Sequence, residues 1–191
     1  MTDSPVYVSL EFTPNPNTLK YSVNRTLVEK GAVNFTQKSD AQAKSPLATK
    51  LFDIAGIGGV MLGRDFVTVT KTEDGDWDTV HKSASNIIET HLTRQEPVFT
   101  VEYQAKLGGV GASGDGGTLS VVESKIREIL DRDIRPAVAM DGGDITFERF
   151  EDGVVYLQLQ GSCSGCPSST MTLKMGIETR LKEALPNDVT E

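Results

Sequence analysis

Basic residues are in the minority: Lys and Arg number 19 against 27 Asp and Glu, for a net charge of -8. Phosphate recognition needs a basic excess, so nucleic acid is not an expected partner. Long apolar runs are also missing. No segment approaches the ~20 residues that span a bilayer, and no membrane partner is expected. The opening residues, Met1-Thr2-Asp3-Ser4-Pro5, carry neither a basic n-region nor an apolar h-region, so they do not read as a signal or transit peptide. These absences lead to a cytoplasmic expectation of bacterial type, with a processed mitochondrial form as the other reading. Histidine and cysteine are scarce, with two of each in 191 residues. A reducing compartment makes two close cysteines metal-binding or catalytic rather than a structural disulfide.

What is present divides into two patterned halves around a glycine-rich stretch. Val6 to Phe12 alternates as a strand, Thr13-Pro14-Asn15-Pro16-Asn17 is a turn cluster, and Thr18 to Val23 returns as a second strand. Ser45-Pro46 has the signature of an N-cap followed by proline in the first helical turn. Val60–Leu62 and Phe66–Thr70 read as short strands. Asp76 is a plausible cap for a helix whose apolar face is Trp77, Val80, Ala84, Ile87, Ile88 and Leu92. His81 and His91 both fall on that helix, roughly 80° apart around its axis, so they cannot converge on one ligand and read as surface or edge residues. No acid–base pair in this half supports catalysis, and no catalytic residue is assigned anywhere in the chain.

Six glycines occur between Gly108 and Gly117, a composition that predicts a flexible linker. Gly109-x-Gly111-x-x-Gly114 imitates a dinucleotide-binding fingerprint. The glycines overrun the pattern, Asp115 would oppose a pyrophosphate, and no βαβ unit surrounds it. The expected organisation is a domain over 1–95, a linker over 96–118 and a second domain over 119–191. The expected fold class is α+β, as two small α/β-sandwich-like domains joined by the Gly-rich linker. In the second half, Ser120-Val121-Val122-Glu123 is a capping box, and Asp133-Ile134-Arg135-Pro136 should disrupt the helix it opens, with a short helical turn continuing through Val138 and Met140. Asp141-Gly142-Gly143-Asp144 reads as a turn with too few oxygen ligands at the right spacing for a calcium loop. Ile145–Phe150 and Val154–Leu159 form a hairpin through Asp152-Gly153. Then come Gly161-Ser162-Cys163-Ser164-Gly165-Cys166-Pro167 and a helix ended by Pro186.

Both thiols therefore sit between a strand end and a helix start, where the helix N-terminus favours thiolate. Three readings are open for Cys163 and Cys166. A structural zinc site wants four protein ligands, and the chain offers no second pair. A thiol–disulfide oxidoreductase also places its dithiol before a helix, but in a parallel-sheet fold that this hairpin does not match. An iron–sulfur cluster wants four ligands, which two copies of this loop could supply across a symmetric contact. On the last reading the loop should lie exposed in the apo chain, with its sulfurs outward.

Arg135-Pro136, Met140-Asp141-Gly142-Gly143-Asp144 and Gly161 to Pro167 resemble the NifU C-terminal domain. Thr13 to Lys20, Ser45-Pro46-Leu47-Ala48, Leu51-Phe52 and Asp65 to Lys71 resemble the Nfu N-terminal domain. The resemblance covers nearly the whole chain. It implies a non-enzymatic scaffold or carrier with a 4Fe–4S cluster, built of iron and sulfide, bridging a homodimer through Cys163 and Cys166. The implied partners are apo iron–sulfur proteins as recipients and upstream cluster assembly proteins as donors. Members often add a strand after the last helix, and Asn187 to Glu191 leaves little room for one.

Overall fold

The computed structural model describes residues 5–109, 121–164 and 167–190. Its element order begins with strands β1 (Val8–Phe12), β2 (Thr18–Val23) and β3 (Val33–Phe35), then helices α1 (Lys38–Lys44) and α2 (Pro46–Phe52). Strands β4 (Ile57–Leu62) and β5 (Phe66–Lys71) and helices α3 (Trp77–Thr93) and α4 (Val101–Gly109) complete the N-terminal half. The C-terminal half runs α5 (Val121–Ile129), a wide π turn at Leu130–Ile134, α6 (Arg135–Met140), β6 (Gly143–Glu151), β7 (Val154–Gly161) and α7 (Pro167–Ala184). This is a mixed helix-and-sheet chain, as expected, with two separate apolar clusters among the described residues.

The first cluster lies between helices and one face of an antiparallel sheet of order β1-β2-β5-β4-β3. Strand alternation sends Leu19, Tyr21, Val60, Leu62, Val67 and Val69 to that face. Local signals placed the helices well. Ser45 Oγ accepts from the Ala48 N–H at 3.1 Å, and the Asp76 carboxylate accepts from the Asp78 and Thr79 N–H groups, each satisfying orphan donors of the first turn. The sequence reading missed β3 and α1, which are too short to carry a period of their own.

Two expectations need correction. His91 is not a surface residue: it is 1% exposed, and its ring Nε2 meets the Pro97 carbonyl at 3.1 Å. Burial pushes its imidazole below the usual range, with the Lys50 ammonium adding to the effect. The N-terminal core also continues past residue 95, into what was expected to be linker. Phe99 is 4% exposed, and Tyr103 and Leu107 follow at i+4 spacing on α4 to pack against the same cluster. The glycine-rich residues 110–118, and Ser120 of the capping box, lie outside the described residues. The disruption expected around Pro136 is present as a π turn, and the short helical turn expected through Val138 and Met140 is α6. The π turn at Leu130–Ile134 absorbs the missing N–H and α6 continues.

The second cluster fills the space between α5, α6, α7 and the β6–β7 hairpin, with Ile126, Val138, Ile145 and Leu181 at 2% exposure or less. Asp152 and Gly153 both have positive φ, 50° and 84°, as a two-residue hairpin turn demands. No further strand follows α7 among the described residues. The tail crosses the hairpin turn instead, with the Thr190 N–H donating to the Gly153 carbonyl at 2.7 Å.

Tyr21 sets a testable alkaline limit. It is fully buried, and burial pushes its phenol up to about 12 from 10.0. The unfolded chain ionises the phenol first, so the associated stability is whole below pH 10 and is lost as pH rises towards 12. Over that window the loss is about 3 kcal/mol. Urea denaturation at rising pH should show a steeper fall in wild type than in Tyr21→Phe. Parallel curves would show that the phenol does not govern it.

Candidate metal-ligand loop

The site begins at the open end of the hairpin, where Gly143 pairs with Gly161. Gly161 has φ +66°, a left-handed conformation that turns the chain sharply out of β7. The Ser162 N–H donates to the Gly142 carbonyl at 3.1 Å, and the Ser164 N–H to the Gly161 carbonyl at 3.1 Å. The Ser162 hydroxyl donates to the Asp141 carbonyl. This turn folds Cys163 back over Gly143, so that a Cβ added at Gly143 would lie 2.5 Å from the Cys163 Sγ. Cys163 is 2% exposed and belongs to the second apolar cluster. The expectation that the sulfurs face outward therefore fails for Cys163, because the hydrogen-bonded turn and the gap over Gly143 draw its side chain inward. Cys166 lies outside the described residues.

Beneath the loop, Asp144, the second residue of β6, is a buried carboxylate rather than part of a turn. Arg135 Nε donates to its Oδ1 at 2.9 Å, and the same guanidinium reaches Asp131 at 2.5 Å and the Ile145 carbonyl at 3.1 Å. Burial pushes the Asp144 carboxyl up, against the pull of Arg135. The pair ties α6 to the strand that carries Gly143. Sequence reasoning had no route to this contact, although the Arg135-Pro136 and Asp144 signatures were visible.

No three His, Cys, Asp or Glu side chains come together to hold a metal ion among the described residues. His81 stacks on Tyr21 with ring centroids 6.0 Å apart, and His91 is committed to Pro97, so both histidines are engaged inside the N-terminal half. What remains is a soft sulfur donor at Cys163, with Cys166 three positions on, before a helix whose first residue is Pro167.

Comparison with known proteins matches both halves. The family model described as NifU-like domain covers residues 126–190, and that described as Scaffold protein Nfu/NifU N terminal covers residues 8–95. A human protein described as NFU1 iron-sulfur cluster scaffold homolog, mitochondrial, is 38% identical over 182 residues, covering 95% of this chain and 69% of the relative. Arabidopsis thaliana NifU-like protein 5, mitochondrial, is 38% identical over 178 residues, covering 92% of this chain and 63% of its own length. A solution structure of a NifU-like protein from Saccharomyces cerevisiae aligns at a TM-score of 0.47 and 21% identity, over 53% of this chain and 91% of that one. Both sequence relatives are described as mitochondrial, which gives the cytoplasmic expectation no support. No described helix is long and apolar enough to cross a membrane.

Proposed function

Because the chain belongs to the Nfu/NifU family of iron–sulfur cluster scaffolds, we propose that it carries a 4Fe–4S cluster between two copies of itself. Cys163 and Cys166 of each copy are the ligands, and the cluster passes to apo-proteins. The cluster is cargo, and the chain catalyses no turnover of its own. The domains proposed for this work are an N-terminal unit and a cluster-binding unit over 119–191. The observation that carries the reading is the ligand count. The chain's two cysteines share one strand–loop–helix turn, and a four-thiolate site then needs two chains. Transfer proceeds by ligand exchange. Each donor Fe–S(Cys) bond is replaced by one to a recipient thiolate, and the proton lost by the recipient thiol balances the one regained by the donor.

Anaerobic reconstitution of the full chain with iron and sulfide tests this. The expected product is about one 4Fe–4S cluster per two chains, seen by Mössbauer spectroscopy, with sedimentation reporting a dimer that dissociates when an apo-recipient is added. A loaded monomer would mean that other ligands complete the site. Stoichiometric zinc without iron, or a dithiol that cycles to a disulfide without binding iron, would replace the carrier reading altogether.

A further inference from the structure

The sheet of the N-terminal half has a second face, and the helices do not cover it. Alternation sends Lys20, Met61, Phe66 and Thr68 there, opposite the residues that build the first cluster. Such positions read as solvent-facing in a sheet covered on one side. Yet Met61 and Thr68 are 1% exposed, Phe66 4% and Lys20 8%.

The cover is the open end of the β6–β7 hairpin. A Cβ at Gly161 would lie 2.7 Å from the Met61 methyl, and one at Gly142 would lie 2.9 Å from the Thr68 methyl and 3.5 Å from the Lys20 Cβ. Only glycine at these two places lets the sheet settle so closely, and both have positive φ. Two polar groups at the contact find partners across it, while the buried Thr68 hydroxyl has none. Lys20 Nζ donates to the Met140 carbonyl at 3.2 Å while pairing with Glu11 at 2.9 Å. Asn15, 7% exposed, donates from Nδ2 to the Ser162 carbonyl at 3.0 Å. Its Oδ1 accepts the Asn17 N–H at 2.9 Å, and Thr13 Oγ1 donates to its backbone carbonyl at 2.9 Å. The Thr13-Pro14-Asn15-Pro16-Asn17 turn thus has a purpose beyond joining two strands: it aims one amide at the peptide just before Cys163.

We infer that the N-terminal sheet is an intramolecular cap that holds the ligand loop closed in the apo chain, with Asn15 as its latch. The inference rests on the carrier reading for its purpose, not for its geometry. A sulfur that bridges two chains has to leave the interior of its own. An outward turn of Cys163 made by rotating the Ser162–Cys163 peptide carries the Ser162 carbonyl away from Asn15. The cap also occupies the ground beside Gly142 and Gly161 where a second loop would approach. Closure therefore shields the thiol until cluster loading or a partner lifts the sheet.

The test uses the full-length, reduced, cluster-free chain under anaerobic conditions. N-ethylmaleimide is applied in timed pulses, and mass spectrometry reads Cys163 modification. Asn15→Asp keeps the acceptor for Asn17 and removes the donor to Ser162. Met61→Ala hollows the contact at Gly161 without touching the first cluster. Each should speed Cys163 modification about 5- to 30-fold, the range for losing one buried hydrogen bond or its packing equivalent. Circular dichroism confirms that each variant is folded, and either variant alone suffices if the other is not. Wild-type rates in folded variants would overturn the cap. Cluster uptake by wild type is measured separately: faster modification with no uptake leaves the cap standing and removes the carrier reading, and uptake with unchanged modification does the reverse.

Discussion

Cys163→Ala and Cys166→Ala are each expected to reduce retained cluster to below about a tenth of wild type. The argument is stoichiometric. In a site shared by two identical chains, one substitution removes two of four thiolates, and a cluster with two remaining ligands has no protein-held geometry. The effect should therefore be nearly all-or-none in each variant, not a partial weakening. Cys163 also packs in the second apolar cluster, so its replacement adds a stability loss on the order of 1 kcal/mol. That is too little to unfold the chain, and thermal denaturation separates it from the ligand effect. Iron and acid-labile sulfide per chain, after desalting without oxygen, give the readout. Near-wild-type content in either variant would sink the bridging arrangement.

Gly143→Ala should be a strongly damaging single-methyl change in the C-terminal half. The added Cβ would lie 2.5 Å from the Cys163 Sγ, 3.0 Å from the Gln160 carbonyl oxygen and 3.1 Å from the Cys163 Cβ. The Sγ ends a side chain with a single rotatable bond, and the carbonyl oxygen is backbone. The carbonyl belongs to the paired strand β7, and Cys163 is held by the turn through Ser162. Either the hairpin end opens or Cys163 is driven from its place, at a cost of about 3 kcal/mol. The melting temperature should fall by roughly ten degrees, and Cys163 should become reactive to alkylation. A variant that melts within a degree of wild type with Cys163 still shielded would show that the sulfur does not depend on the gap over Gly143.

Much of the site was legible in order along the chain. Asp152-Gly153 announced the hairpin, and Pro167 announced the helix after the loop. Gly161 to Pro167 marked the cysteine-bearing segment proposed to hold the cluster. These are local signals, because φ preference, capping and period act within a few residues. The same locality placed Ser45 and Asp76 as caps. It could not see Val33–Phe35, where three residues carry no period, or the return of Phe99, Tyr103 and Leu107 onto the first core.

The sequence by itself determined the family, the mixed α and β elements, and the position of the two thiols between a strand and a helix. The tertiary structure alone decided which surfaces face which. Alternation along β2, β4 and β5 says that Lys20, Met61 and Thr68 share a face, and it says nothing of what lies on that face. Residues more than a hundred positions away cover it: Met140 and Ser162 reach Lys20 and Asn15. The inward turn of Cys163 is of the same kind, since it depends on a glycine twenty residues earlier, Gly143, being paired with Gly161 in the hairpin so that it lies under the sulfur. Burial is a property of neighbours in space, and neighbours far apart in the chain leave no period for a sequence to show.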